Sequence, residues 1–172
     1  MSSRLSHLLL LLTGSCLLAA CGFQLRGTCE GTTVPEDWYS MYLVSGNPNG
    51  ELSRELRSRF AANGIQWAEQ LEDANYVVKL GPERFSRRNL SINAEARAAE
   101  FELTMRARFA VNDNGGNPVM ESADAAVVRQ MENDPRNVVG KAEEIRILKG
   151  EMRTELSQQI MRRIAFFAAS TR

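Results

Sequence analysis

Alternation of apolar and polar side chains is sharpest between Phe101 and Val111. Phe101, Leu103, Met105, Ala107, Phe109 and Val111 hold one parity; Glu102, Thr104, Arg106, Arg108 and Ala110 hold the other. A period of two sends successive side chains to opposite faces, so this segment predicts a long, half-buried strand. Asn112-Asp-Asn-Gly-Gly-Asn-Pro118 follows, rich in residues that tolerate positive φ, and predicts a hairpin into another strand over 119–131. Upstream, Trp38–Val44 is aromatic and β-branched enough for a strand, and Ser45-Gly-Asn-Pro-Asn-Gly50 stops it. Leu52, Leu56 and Phe60 then recur at helical spacing, with Asn63-Gly64 as a C-terminal cap. Tyr76, Val78 and Leu80 alternate with Val77 and Lys79 in a further strand, which Pro82 either bends or relegates to an edge before Phe85 and beyond.

The last segment changes period. Asp134-Pro135 is a favourable helix start, and Ile145, Leu148, Met152, Leu156, Ile160, Ile164 and Phe167 keep one face of a long helix apolar. Gly140 and Gly150 each weaken a helix interior, so a kink or break is expected near either one. The predicted order is β-α-β-β-β-α. This is an α+β two-layer sandwich, with two helices packed on one face of a four-stranded, mostly antiparallel sheet.

The N-terminus follows another rule. Met1–His7 is short and weakly positive, Leu8–Leu12 and Leu17–Ala20 are apolar, and Thr13-Gly14-Ser15 interrupts them. Residues 1–20 read as a secretory signal peptide, too short to remain as a bilayer-spanning helix. Leu18-Ala19-Ala20-Cys21 matches the bacterial lipoprotein cleavage box, which makes Cys21 a lipid attachment site. Gly22 follows it where aspartate would resemble an inner-membrane retention signal, so outer-membrane sorting through the periplasm is expected. Residues 21–36 are rich in Gly and Thr and read as a lipidated tether, leaving 37–170 as one folded domain. Cys29 remains as a thiol with no intrachain partner once Cys21 is acylated.

Composition narrows the chemistry. The chain has 172 residues, 44% hydrophobic and 24% charged, with 21 Lys+Arg against 21 Asp+Glu, which disfavours both disorder and a polyanion-wrapping basic protein. Its one histidine, His7, lies in the signal peptide, so the mature chain carries no imidazole for general-base or metal chemistry. No phosphate loop, C-x-x-C pair, G-x-S-x-G or H-E-x-x-H occurs, and Glu143-Glu144 share their helix with Arg146 and Lys149 as solvated partners. These features favour a non-enzymatic binding or assembly protein with no cofactor and no metal. Arg84, Arg87, Arg88, Arg97, Arg106 and Arg108 are concentrated in one stretch. Either they solvate the open face of the sheet, or the strand-turn-strand tip between about 84 and 97 recognises anionic lipid with Lys141, since a guanidinium fork suits phosphate.

Two motifs carry a resemblance. Cys21-Gly-Phe-Gln-Leu-Arg-Gly27 resembles the C-G-[FW]-x-L-R signature after the lipidation site of the lipopolysaccharide-assembly lipoprotein family LptE. Ser45-Gly-Asn-Pro-Asn-Gly-Glu-Leu-Ser-Arg54 resembles the strand-to-helix turn of the same family. Weaker similarity runs through Ala99-Glu100-Phe101 and Asp134-Pro135. The resemblance implies a non-enzymatic plug inside the β-barrel protein LptD, in a one-to-one complex that delivers lipopolysaccharide to the outer leaflet. It also implies lipopolysaccharide binding through basic residues at the strand 2–3 turn and early in the second helix. Lys141 occupies the helix position; the turn position is Ala94, so Arg97, Arg88 or Arg87 would substitute there. The alternative is an adaptor lipoprotein of another outer-membrane export or barrel-assembly machine. A polar outward row suits the polar lumen of a barrel.

Overall fold

A computed structural model of the chain describes residues 34–92, 98–132 and 138–171. Strand β1, Ser40–Ser45, leads through the Ser45–Gly50 turn into helix α1, Glu51–Ala61. Strands β2, Gln66–Trp67, β3, Tyr76–Leu80, β4, Arg84–Ile92, β5, Ala98–Asp113, and β6, Pro118–Glu132, follow, and helix α2, Val138–Ser170, closes the chain.

All six strands join one sheet organised around β5. The C-terminal half of β5 pairs antiparallel with β3, Phe109 opposite Leu80, while its N-terminal half pairs antiparallel with β4, Met105 opposite Phe85. β3 and β4 therefore lie end to end along one edge of β5, and β6 covers the other edge. The one strand expected to bend or to move to an edge at Pro82 is thus two strands, of which β4, beyond the proline, pairs with β5 alone at an edge. Proline has no N–H for the ladder, and the Gly81 N–H instead donates to the Arg108 carbonyl oxygen at 2.8 Å. A Cβ at Gly81 would sit 3.1 Å from that oxygen, a tight contact that favours glycine at this close approach.

The expected four-stranded, mostly antiparallel sheet needs a second correction. β1 pairs parallel with both β3 and the short β2, giving, among the described residues, six strands in a mixed sheet. Parallel neighbours need a crossover connection, and the segment from β1 through α1 and β2 to β3 supplies one. Trp38 also moves: it lies in a 3-10 turn rather than in β1, and its ring stacks on Tyr76 at 3.9 Å.

Both helices cover one face of the sheet. Leu52, Leu56 and Phe60 of α1 and Met152, Leu156, Ile160 and Ile164 of α2 share a core with Met41, Leu43, Val78, Leu103, Met105, Phe109 and Val127. The predicted inward row of β5, from Phe101 to Val111, is buried throughout. Val34 also belongs to this core, inside the stretch that composition assigned to the tether. α2 runs unbroken for 33 residues through both Gly140 and Gly150. At about 1.5 Å per residue it is about 50 Å long, matching the 16-residue β5 beneath it. Packing along that strand outweighs the two glycine penalties.

Candidate functional site

The sheet has two ends, and of the predicted ligand-binding residues Lys141, Arg87 and Arg88 are described, on the half toward one of those ends. Ser91 and Glu132 both register with Glu100, so the C-terminal end of β4, the N-terminal end of β5 and the C-terminal end of β6 lie together at one end of the sheet. The chain leaves Glu132 and enters α2 at Val138, which brings the start of that helix to the same end. Contacts farther along agree. Glu83 accepts from Arg153 at 2.7 Å, while the Lys149 ammonium sits 4.2 Å from the Phe85 ring centre, so α2 runs antiparallel to β4. Lys141, eight residues and about 12 Å before Lys149, lies toward the Ile92 end.

Arg87 and Arg88 are neighbours in sequence but occupy opposite faces. Arg87 registers with Leu103 on the helix-covered face, and its guanidinium lies 4.6 Å from the centre of the Phe101 ring. Arg88 registers with Glu102 on the open face and grips it with two hydrogen bonds, Nε to Oε1 at 2.6 Å and Nη2 to Oε2 at 2.9 Å. Those bonds hold the Glu102 carboxyl below the usual carboxylate range and raise the Arg88 guanidinium further. Arg87, not Arg88, therefore shares a face with the helix that carries Lys141. Cys21, Cys29, Ala94, Arg97 and the Asp134-Pro135 helix start lie outside the described residues. The tip is not purely basic: Glu100 and Glu132 face each other there, and Ser91 Oγ donates to Glu100 Oε2 at 2.8 Å.

Several functional-looking contacts lay outside the sequence reading. Arg153 bridges Glu51 of α1 at 2.6 Å and Glu83 of the β3–β4 link at 2.7 Å, tying three elements together. Arg129 sits on the helix-covered face of β6 and pairs with Glu155. Ser53 Oγ donates to the Asn47 carbonyl oxygen at 2.8 Å, and Arg57 Nη1 to that of Pro48 at 2.9 Å, bracing the Ser45–Gly50 turn that carries the second motif. Helical and strand periods specify which face a charge occupies, but not which distant carboxylate will meet it. Among the described residues no group of three or more His, Cys, Asp or Glu converges to hold a metal, and no helix is long and apolar enough to cross a membrane.

Comparison with known proteins adds an independent line. The family profile LptE, described as lipopolysaccharide-assembly, matches residues 39–164. The LPS-assembly lipoprotein LptE of Photorhabdus laumondii is 29% identical over 162 residues, covering 92% of this chain and 85% of that protein. The LPS-assembly lipoprotein LptE of Yersinia pestis is 29% identical over 162 residues, covering 92% of this chain and 75% of its own length. Among solved structures, the rare lipoprotein B of Shewanella oneidensis superposes with a TM-score of 0.69 at 26% identity, covering 77% of this chain and 98% of that one. Lipoprotein B of Nitrosomonas europaea shares the fold, with a TM-score of 0.72 at 20% identity over 86% of this chain and 93% of its own.

Proposed function

The chain belongs to the lipopolysaccharide-assembly family LptE, whose profile spans residues 39–164, and from that premise we propose that it is a non-enzymatic lipoprotein of the outer membrane. It is held there by acyl chains on Cys21, with the residues before Val34 as the tether and the remainder to 170, Val34 included, as one domain. Acyl chains add about 0.8 kcal/mol of membrane affinity per buried CH₂, so a multiply acylated cysteine keeps the domain on the bilayer. The domain plugs the β-barrel partner LptD in a one-to-one complex, helps that barrel assemble, and binds lipopolysaccharide on its way to the outer leaflet.

The observation that carries this reading is the family match across nearly the whole α+β domain, joined to a lipoprotein cleavage box at Cys21. The geometry supports a ligand end. The described end of β4 and the part of α2 that holds Lys141 lie toward the same end of the sheet, with Arg87 on the same face as the helix. Arg88 reaches the same ligand only by leaving Glu102.

Two experiments test the proposal. Purification of the full-length lipoprotein from outer membranes in mild detergent is expected to recover a large β-barrel protein in equal amount; recovery of the lipoprotein alone argues against the plug. The Lys141→Glu, Arg97→Glu double variant is expected to bind lipopolysaccharide at least about tenfold more weakly with little change in Tm. Unchanged affinity removes the ligand assignment.

A further inference from the structure

The face of the sheet turned away from the helices carries its own charged concavity. It lies beside the Gly81–Pro82 break between β3 and β4, has a volume of about 690 Å³, and is lined by Lys79, Arg84, Arg106 and Arg108, with Asp124 as its one carboxylate. Arg84 stands directly opposite Arg106 in the antiparallel register. Like charges placed across a strand pair repel each other and destabilise the sheet. Neither of these two arginines forms an ion pair among the described residues, whereas Arg88 and Arg108 on the same face hold Glu102 and Asp124. A solvated open face would separate those charges or match each one with an acid.

The same face departs from the polar-outward rule in a second way. Ala126 and Val128 of β6 register with Arg106 and Thr104, and both are exposed, Val128 by 50%. The water-facing side of an antiparallel sheet normally presents polar residues at such positions. Unpaired guanidinium groups around a concavity of ligand size, next to an exposed apolar strip, suit an amphiphile with a phosphorylated head. An acidic protein surface would call for a flatter contact with charges matched one to one.

We propose that this open-face concavity, with Arg84 and Arg106 as its principal contacts and Lys79 and Arg108 at its margin, binds a phosphate group of a phosphorylated glycolipid. The site is distinct from the Lys141 end. Lys141 lies about 12 Å along α2 from Lys149, which sits over Phe85 beside Arg84, and Arg84 lies on the face without helices. The inference rests on the lipopolysaccharide-handling function above.

The test compares the full-length wild type, Arg84→Gln/Arg106→Gln and Lys141→Glu/Arg97→Glu for binding to detergent-dispersed lipopolysaccharide and to the same lipid after phosphate removal. The open-face double variant is expected to lose at least about tenfold in affinity for the phosphorylated lipid and little for the dephosphorylated one. Its Tm is expected to equal or exceed that of the wild type, since a like-charge pair has been relieved. Equal affinity of this variant and the wild type for phosphorylated lipid, while the Lys141 pair weakens binding, overturns this site and leaves the proposed function standing. Wild type that binds no lipopolysaccharide overturns both. Loss of the barrel partner with lipid binding intact overturns the lipid assignment and identifies the face as a protein contact. Saturation of the wild type by inorganic pyrophosphate as tightly as by the glycolipid also overturns it, by making free phosphate the ligand.

Discussion

Glu102 and Arg88 meet across β4 and β5 on the open face, and their pairing makes a pH prediction at the scale of single residues. Hydrogen bonds from Arg88 lower the Glu102 pKa in the folded state relative to an ordinary carboxylate. A group with a depressed folded pKa contributes stability above its unfolded value and loses that contribution as pH falls through the folded one. The Tm of wild type is therefore expected to exceed that of Glu102→Gln near neutral pH, with the gap closing below about pH 4. Thermal melts across that range check it, and a gap independent of pH contradicts it. Arg153 offers a second test, because its side chain is only 17% exposed and serves both Glu51 and Glu83. Arg153→Met is expected to cost about 1–3 kcal/mol in chemical denaturation, and Glu83→Gln less, since Arg153 keeps Glu51.

At the scale of elements, α2 is continuous where its sequence suggested a break. Gly150 lies in the helix interior with nothing within 4 Å of the position a Cβ would take. Gly150→Ala is expected to stabilise the protein by about 1 kcal/mol, visible as a rise of a few degrees in Tm. Leu156, two turns farther along, is fully buried between the helix and the sheet. Leu156→Ala is expected to lose about 2–5 kcal/mol, because the lost apolar burial is compounded by a cavity that rigid strands cannot close. The β-rich half was legible in the same terms. The inward row Phe101–Val111 is buried as its alternation requires, and the hairpin at 112–118 joins β5 to β6. Two-residue β2 was invisible to any periodicity argument, since Gln66 and Trp67 are too few to show one.

At the scale of the molecule, the long hairpin of β5 and β6 and the long helix over it form a frame, with the end of β4 and the first part of α2 toward one end of it. Lipid attachment is the prediction belonging here. Cys21→Ser is expected to move the protein from the membrane fraction to the soluble periplasm and to abolish the acyl mass increment, as fractionation and mass spectrometry would show. Local sequence was enough to set the long strands, both helices and the inward and outward rows, because strand and helix periods and turn chemistry act between near neighbours. Only the tertiary structure decided that β1 lies parallel to β3, that β3 and β4 share one edge of β5, and that Arg87 and Arg88 serve opposite faces. It also decided that Arg84 confronts Arg106 without an acid between them. Register and ion pairing join residues far apart in the chain, and the energy that selects them comes from the assembled sheet and core rather than from any segment alone.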